Sequence, residues 1–277
     1  MQTGTVKGFY DGLGMKEWRR LDKDAYHRLE WLTNIRFIER YVPKSGRLLD
    51  AGGGPGRYSI YLAKKGYRVV LFDMSPVQLN IARRQAERAR VPPASIEYVE
   101  GVLPDLSQFP DRCFDAALCL VALSHLIDRR ERNKAARELV RVTKPGAPFF
   151  VSVINRYAVF KTVLQRRNLW PNLLDPAHRE LYEKGVHHAH PDRPVGHFTD
   201  AYFFTPDELR ETFERAGVRV LKMAACEGIA SHLQKQVNEL AGDKRMWRRW
   251  MEIHLRTCED PSVIGVSEHL LLVGRKR

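Results

Sequence analysis

Short apolar runs alternate along the chain with longer segments in which apolar residues recur at helical spacing. The run at 114–120 is almost continuously apolar, which is typical of a central strand covered on both faces of a parallel sheet. Such alternation of strands and helices predicts an α/β fold. The predicted strands are residues 48–51, 68–73, 96–100, 114–120, 148–154, 218–226 and 268–274.

Cap signals mark where several of the predicted helices begin. Ser75 before Pro76 combines an N-cap residue with a first-turn proline. Thr205, followed by Pro206 and Glu208, adds the acid of a capping box. The predicted helices run from Asp22 or Asp24 to about 42, and over 76–91, 129–142, 156–169, 173–183, 205–217 and parts of 227–262.

A glycine-rich turn separates the first strand from the helix that follows it. Gly52, Gly54 and Gly56 occupy alternate positions directly after the strand, and Asp50 lies within that strand. Such a turn lets the backbone approach a ligand beside an electropositive helix N-terminus. The second strand ends in Asp73, where a doubly wound fold contacts ribose hydroxyls. The combination predicts a site for a nucleotide-type cofactor.

The spacing of the glycines bears on which cofactor this is. A dinucleotide fingerprint reads G-x-G-x-x-G, and its sixth position counted from Gly52 is Arg57. A pyrophosphate would also be poorly served by the carboxylate of Asp50 so close to the turn. S-adenosylmethionine carries no phosphate, and its ammonium group suits an acidic strand end.

Four ordered motifs carry a family resemblance. They are residues 49–56, Asp73, residues 114–120 and residues 139–146, and together they resemble a class I S-adenosylmethionine-dependent methyltransferase. The resemblance implies a Rossmann-like sheet of seven strands in the order 3-2-1-4-5-7-6, with the last strand antiparallel. The alternative is a nucleotide-binding fold of other chemistry, chiefly an NAD-dependent oxidoreductase.

The resemblance also implies a set of cofactor contacts. One departure is that Val102 stands where many members carry an acid that bonds the adenine amino group. The adenine would then be contacted by backbone and apolar groups of Val102 and Leu103, or by Asp105. The predicted cofactor-binding residues are Tyr10, Asp50, Ala51, Gly52, Gly53, Gly54, Gly56, Asp73, Met74, Val102, Leu103 and Val121.

His125 is the predicted catalytic residue, because it follows the fourth strand and ligands bind beyond the carboxyl ends of strands in this fold. A histidine there can take a proton from the methyl acceptor, or it can only orient the site. Trp18, His197 and Tyr202 are further candidates for contact with the acceptor, although plain packing explains Trp18 equally well. The four histidines in 187–197 do not have the spacing of a metal site, so no metal is predicted.

The chain is predicted to form a single methyltransferase domain with additions. Residues 1–42 would form an N-terminal helical lid, 43–154 the cofactor-binding core, and 155–204 and 227–262 two helical insertions that cap the active site. In the second insertion, a stripe of apolar residues would pack the insertion onto the domain or close the substrate cleft, with partner docking as the alternative. The stripe comprises Trp247, Trp250, Met251 and Leu255.

The composition is strongly basic, with a net charge of +13 and a pI near 9.7. Such a charge can attract nucleic acid, but the basic residues are spread along the chain, which favours a solvated surface over a nucleic-acid footprint. No apolar run is long enough for a membrane span, and the N-terminus lacks the apolar core of a signal peptide, so a cytoplasmic location is expected. The four cysteines are predicted to be buried thiols.

Methyl transfer from a sulfonium is an in-line displacement that depends on alignment and exclusion of water. Because the two insertions resemble walls of a pocket, the predicted function is methyl transfer to an O, N or C nucleophile of a small molecule. The alternatives are methylation of tRNA or rRNA, and a non-catalytic cofactor-binding module. The chain has Ala122-Leu-Ser-His125 where enzymes acting on nucleobase amines often carry an Asn/Asp-Pro-Pro-aromatic motif, which argues against that subclass.

Overall fold

A seven-stranded sheet organises the computed structural model, which describes residues 2–189 and 198–277. The strand order is β3-β2-β1-β4-β5-β7-β6. Strands β1 to β5 pair in parallel, whereas β7 is antiparallel to both of its neighbours. The fold is therefore the one predicted. The strands are β1 Arg47–Ala51, β2 Arg68–Asp73, β3 Ile96–Glu100, β4 Ala116–Leu120, β5 Pro148–Ile154, β6 Val218–Ala225 and β7 His269–Lys276.

Twelve α-helices are found in the described part of the chain. They are α1 Gln2–Leu13, α2 Met15–Arg20, α3 His27–Tyr41, α4 Arg57–Lys64, α5 Pro76–Arg88, α6 Arg129–Val142, α7 Ala158–Gln165, α8 Pro176–Lys184, α9 Pro206–Arg215, α10 Gln234–Leu240, α11 Lys244–Thr257 and α12 Pro261–Ile264. Single 3₁₀ turns or short 3₁₀ helices cover Pro93–Ser95, Ala122–His125, Arg167–Leu174 and Gly228–Ala230.

The predicted caps form as hydrogen bonds. The Ser75 hydroxyl accepts from the backbone N–H of Gln78 at 3.0 Å, and Pro76 opens α5. Thr205 and Glu208 exchange both bonds of a capping box at the start of α9. These contacts satisfy N–H groups that the first turn of a helix leaves without partners.

Several predicted boundaries need correction. The helix expected over 156–169 ends at Gln165 and continues as a 3₁₀ helix that contains Pro171, since proline has no N–H for a regular α-helix. The last strand does not end at 274 as predicted, because β7 extends to Lys276 and pairs with β6. The Lys276 ammonium donates to the carbonyls of Val140 and Thr143, which holds that end in place.

Two further differences concern strands. Strand β4 begins at Ala116 rather than at 114, and Phe114 forms only an isolated bridge with Thr143. A second sheet of two short antiparallel strands, Val186–His187 and Ala201–Tyr202, was not expected. Each of these strands has two residues, too few to show an apolar alternation in the sequence.

The sheet buries an apolar cluster on each face. On one face Leu49 and Phe72 pack with Leu139 of α6 and Phe213 of α9. On the other face the alternate strand residues, such as Leu48 and Leu71, pack with α3, α4 and α5. This alternation explains why the parallel strands are apolar throughout.

The second insertion packs onto α3. Trp247, Trp250 and Met251 of α11 lie against a small cluster that includes Tyr26 and Leu29. Packing of the stripe onto the domain is therefore confirmed for these three residues. Cys119, Cys226 and Cys258 are buried and Cys113 is half-buried, all as free thiols. Within 2–189 and 198–277, no helix combines the length and apolar character needed to cross a bilayer.

Candidate active site

The glycine turn lies where β1 and β4, neighbours in the sheet, end side by side. Gly52, Gly54 and Gly56 have φ values of 72°, 53° and 77°, a left-handed region that side chains disfavour. A Cβ built on Gly52 would lie 2.2 Å from the Cβ of Ala122, just beyond β4. The N–H groups of Gly52 and Gly53 both donate to the carbonyl of Phe72, at 2.7 and 3.3 Å. The turn is thereby anchored to the end of β2.

Asp73 joins the end of β2 to this turn. One carboxylate oxygen accepts from the N–H of Gly54 at 2.8 Å, and the other accepts from the N–H of Ser75 at 2.9 Å. Burial raises the pKa of Asp73 to about 6 despite these bonds. Asp50 is also buried, accepts from the Ser59 hydroxyl at 2.6 Å, and has its pKa raised by burial to about 6. The turn and the acid are therefore in direct contact.

A cavity of about 420 Å³ opens at the carboxyl ends of β1, β2 and β4. This is the position where a doubly wound sheet binds its ligand, at the point where the strand order reverses. The cavity wall contains most of the predicted cofactor-binding residues and the predicted catalytic histidine. They are Tyr10, Asp50, Gly52, Gly53, Gly54, Asp73, Met74, Leu103, Val121 and His125.

An orphaned polar atom indicates that the cofactor end of the cavity suits a polar ligand. The side chain of Gln78 is buried and its amide nitrogen donates to the carbonyl of Tyr10 at 2.6 Å, but its oxygen has no partner in the described part of the chain. Gln78 lines the same cavity as Asp73. A buried amide oxygen without a hydrogen bond is costly, so a ligand that donates to it would be favoured. A ligand with hydroxyl or amino donors, such as an adenosyl group, fits this wall.

Three of the predicted cofactor-binding residues do not line this cavity. Ala51 is fully buried in the sheet, and Gly56 lies under α5, where a Cβ would be 3.0 Å from Ala82. Val102 is exposed on a neighbouring pocket of about 200 Å³, together with Asp105. The Asp105 carboxylate accepts from the N–H of Ser107 in its own loop. Ala51 and Gly56 therefore support the turn from behind, and Val102 lies beside the main cavity.

Two of the predicted acceptor contacts are also placed elsewhere. The Trp18 indole lies under the guanidinium of Arg57, whose carbon is 4.9 Å from the ring centroid. Tyr202 is buried beneath Arg132, whose guanidinium carbon is 3.4 Å from the centre of the tyrosine ring. The Tyr202 hydroxyl accepts a hydrogen bond from Arg156 at 3.1 Å. Neither side chain lines the cavity, so neither is placed to contact an acceptor bound there. His197 lies outside the described residues.

His125 ends a 3₁₀ turn that follows β4, and its ring is held at both nitrogens. Nδ1 lies 3.0 Å from the carbonyl of Asp200, which can only accept, so Nδ1 carries the proton. Nε2 lies 2.7 Å from the Tyr10 hydroxyl and accepts from it. Burial lowers the pKa of His125, which keeps the imidazole neutral near pH 7. Val121, at the start of this turn, has the strained φ of 72° for a β-branched residue.

A charged cluster that no sequence motif indicated forms another part of the wall. Arg20 donates to the buried carboxylate of Glu30 at 2.6 Å, and Nδ1 of His269 lies 2.7 Å from a carboxylate oxygen of Glu227. Burial alone would lower the pKa of His269, but the Glu30 and Glu227 carboxylates raise it to about 9. Burial and the Glu227 carboxylate raise the pKa of Glu268 to about 7.

Metal-like spacing occurs within this cluster. One ligand atom each from Glu30, Glu227 and His269 lies within 4.8 Å of the other two. However, the guanidinium of Arg20 and the proton on His269 already supply positive charge to these carboxylates. The cluster is therefore an ion-pair network. Its members extend from Arg20 to His269 in the chain, so only the fold brings them together.

The order of the strands, the glycine turn and the acid Asp73 at the end of β2 together define a class I, Rossmann-like methyltransferase. A family model described as "Methyltransferase domain" matches residues 49–151. The ubiquinone biosynthesis O-methyltransferase of Coxiella burnetii is 30% identical over 214 residues, which cover 76% of this chain and 79% of that protein.

Solved structures share the fold. A SAM-dependent methyltransferase of Methanosarcina mazei has a TM-score of 0.59 at 19% identity, covering 87% of this chain and 96% of that one. A SAM-dependent methyltransferase of Thermotoga maritima, titled a possible histamine N-methyltransferase, has a TM-score of 0.58 at 18% identity, covering 98% and 100%. The chain belongs to the class I S-adenosylmethionine-dependent methyltransferase superfamily, and S-adenosylmethionine is its cofactor.

Proposed function

We propose that the protein transfers a methyl group from S-adenosylmethionine to an O, N or C nucleophile of a small molecule. The proposal rests on the observation that the glycine turn, Asp73 and His125 all line the same cavity. A cofactor placed against the turn would share the cavity with an acceptor placed against His125. The relatives named as ubiquinone biosynthesis O-methyltransferases support a small-molecule acceptor.

Different residues of the cavity would bind different parts of the cofactor. The cofactor supplies a methyl group that is already activated on a sulfonium. Asp73 would accept from ribose hydroxyls, and Met74 with Leu103 would contact the adenine. The backbone of Gly52 to Gly54 would approach the amino-acid end closely, because no side chain intervenes. Apolar side chains of the wall would exclude water from the transfer.

His125 would act as the general base. Its Nε2 is neutral and accepts from Tyr10, so an acceptor hydroxyl or amine that replaced the Tyr10 hydroxyl would find the same lone pair. The acceptor proton would pass to Nε2 while the new bond to the methyl carbon forms. The bond from Nδ1 to the Asp200 carbonyl would hold the ring during this step.

The N-terminal helices and the two insertions would enclose the reaction, as a lid and two caps. Helix α1 contributes Val6, Phe9 and Tyr10 to the wall. Phe198 comes from the first insertion and Glu227 from the second. Residues far apart in sequence thereby surround one space, which is the arrangement that water exclusion requires.

Binding of S-adenosylhomocysteine and transfer of label together test the proposal. Calorimetric titration should show one molecule bound per chain. Labelled S-adenosylmethionine, incubated with the enzyme and fractions of a cell extract, should then place label in a low-molecular-mass product. No binding would overturn the cofactor assignment, and label found only in macromolecules would overturn the small-molecule acceptor.

A further inference from the structure

The cavity has a charge opposite to that of the molecule. The chain has a net charge of +13. Its cavity wall contains the guanidinium groups of Arg20 and Arg57 and the protonated imidazole of His269 as cations. Carboxylates outnumber these cations by two to one among the described lining residues. The six carboxylates are Glu17, Glu30, Asp50, Asp73, Glu227 and Glu268.

Glu268 differs from the other carboxylates of the ion-pair network in being available to a ligand. The side chains of Glu30 and Glu227 are only 5% and 3% exposed and already accept from Arg20 and from His269. The Glu268 side chain is 26% exposed, and it is contacted by the Tyr26 hydroxyl and, at 3.0 Å, by Nε2 of His232, whose imidazole is neutral near pH 7 because burial lowers its pKa to about 4. The cavity includes Glu268 in its wall. It is therefore the carboxylate of this network best able to meet an acceptor.

An aromatic wall lies in the same cavity. The rings of Phe9 and Phe198 are 5.7 Å apart, and those of Phe198 and His125 are also 5.7 Å apart. Tyr10 closes the group at 5.2 Å from His125 and 5.3 Å from Phe9. All four rings line the cavity. Faces of aromatic rings attract cations, most strongly where water is excluded.

Ile154 connects the aromatic wall to the carboxylate. It pairs with His269, the residue after Glu268, in the β5–β7 ladder. Ile154 also packs in one apolar cluster with Phe198 and itself lines the cavity. The backbone carbonyl of Glu268 accepts from the N–H of Asn155, which fixes its position beside the end of β5. The backbone of Glu268 therefore lies beside the end of β5, whose last residue lines the cavity together with Phe198.

We propose that the methyl acceptor is an amine, which enters as an ammonium cation and is held by Glu268 and the aromatic wall. The inference rests on the proposed function and names its substrate class. An N–H proton of the ammonium passes to the Glu268 carboxylate, which leaves a neutral amine. The nitrogen lone pair then forms the bond to the methyl carbon as the sulfur–carbon bond breaks. Nε2 of His125 takes a second N–H proton as this bond forms. The products are the methylated amine and S-adenosylhomocysteine, and Glu268 and His125 return their protons to solvent.

The charged surroundings of Glu268 determine how amine binding depends on pH. It is faced by the carboxylates of Glu227 and Glu30, by the histidines His269 and His232, and by Lys161 and the hydroxyl of Tyr26. Burial and Glu227 raise the pKa of Glu268 to about 7. The carboxylate is therefore largely neutral below that value and ionised above it. Amine binding should strengthen as the pH rises from about 6 to about 8, where simple amines are still protonated.

Benzylamine and benzyl alcohol are suitable probes, because they match in shape and differ in charge. The protein is first saturated with S-adenosylhomocysteine, and each probe is then titrated calorimetrically near neutral pH. Benzylamine should bind about tenfold more tightly or better, as one charge-assisted contact provides. In Glu268→Gln this preference should vanish while the affinity for S-adenosylhomocysteine is unchanged. Glu239→Gln is the matched control, since it removes a charge from a side chain that is 67% exposed on α10.

A second variant keeps the test independent of any effect of Glu268→Gln on folding. Phe198→Leu retains an apolar side chain and removes one aromatic face, and it should weaken benzylamine binding several-fold with little effect on benzyl alcohol. Equal affinity for the two probes, no detectable binding of either, or unchanged preference in both variants would overturn the amine assignment. Failure of S-adenosylhomocysteine to bind in the first step would instead overturn the proposed function.

Discussion

Asp73 is the residue on which the cofactor end of the site depends. Both of its oxygens are fixed by backbone N–H groups, one from the glycine turn and one from the start of α5. This geometry leaves the remaining lone pairs of a buried carboxylate for a ligand. Burial raises the pKa of Asp73 to about 6, so the carboxylate is ionised at neutral pH but poorly solvated. A ligand that donates a hydrogen bond to it would stabilise this ionised form.

Asp73→Asn should weaken S-adenosylhomocysteine binding by about tenfold to a hundredfold, the effect of losing a charged acceptor. The new amide group would also face an N–H donor, either Gly54 or Ser75. Calorimetry measures the effect, and wild-type affinity should itself fall as the pH drops below about 6, because Asp73 becomes protonated. Asp105→Asn is the control and should bind normally. Wild-type affinity in Asp73→Asn, or loss in Asp105→Asn, would show that the adenosyl group is held elsewhere.

His125 tests the acceptor end of the site. His125→Asn can keep a donor to the Asp200 carbonyl and removes Nε2, so turnover should fall about a hundredfold or more while S-adenosylhomocysteine affinity stays the same. Burial lowers the pKa of His125, so the imidazole remains a neutral base as the pH falls through its ordinary pKa. At saturating acceptor, the acid limb of the wild-type kcat profile should therefore lie below that value, whereas the loss of acceptor binding at Glu268 appears in KM. The rates are measured with the extract fraction in which labelling has located the acceptor. If His125→Asn kept the wild-type rate, His125 would have only a structural role.

Single functional residues could be predicted from the sequence where they lie close together in the chain. The glycine turn, Asp50 and Asp73 were identified because their residue types are adjacent to strand ends in the chain. Arg20, Glu30 and Glu227 were not, because single charged residues in three separate segments carry no pattern until the fold assembles them. Tyr202 was selected for its residue type alone, and the bond from Arg156 explains its position instead.

At the scale of elements, the turn between β1 and α4 is constrained by its neighbour beyond β4. Gly52→Ala should place a Cβ 2.2 Å from that of Ala122 and should force a left-handed φ on alanine. The free energy of unfolding, measured in urea, should fall by about 3 kcal/mol, as overpacking and the left-handed conformation together cost. S-adenosylhomocysteine binding should be lost with the geometry of the turn.

Gly66→Ala provides the comparison for this prediction. Gly66 also has a positive φ, of 92°, but a Cβ there would meet nothing within 4 Å. Only the conformational cost of about 1 kcal/mol should remain. If both variants lost the same stability, the close approach of the turn to Ala122 would not be a constraint on the site.

Element boundaries were predictable where a cap or a continuous apolar run marked them. Strands β2 and β5, which pair on both sides, and the capped helix α6 have the predicted limits, and so does the edge strand β3. The end of the helix expected over 156–169 was not predictable from apolar spacing, because the 3₁₀ helix around Pro171 has a similar composition. The extension of β7 to Lys276 depends on pairing with β6 and on bonds to α6 and its following loop, which basic residues alone do not indicate.

At the scale of the whole molecule, charge is segregated. The chain as a whole has a net charge of +13, whereas the described wall of its cavity contains more carboxylates than cationic groups. A phosphate-bearing acceptor would meet carboxylates at the reaction site, which argues against RNA as the substrate. The basic surface would still attract RNA without specificity.

RNA binding should therefore be weak and should not lead to methylation. In filter binding, any affinity should fall steeply between low and physiological salt, as expected for contacts to phosphates alone. Treatment of the extract with ribonuclease should leave the amount of labelled product unchanged. Label that disappears with ribonuclease treatment, together with RNA affinity that persists at physiological salt, would favour the tRNA or rRNA alternative.

A crystal structure of the complex with S-adenosylhomocysteine tests the assignment of the site most directly. In that complex the ribose hydroxyls should donate to Asp73, the amino-acid end should follow the turn at Gly52 to Gly54, and the sulfur should face the part of the cavity bounded by His125. A ligand bound away from Asp73, or a sulfur that faces solvent rather than His125, would contradict it.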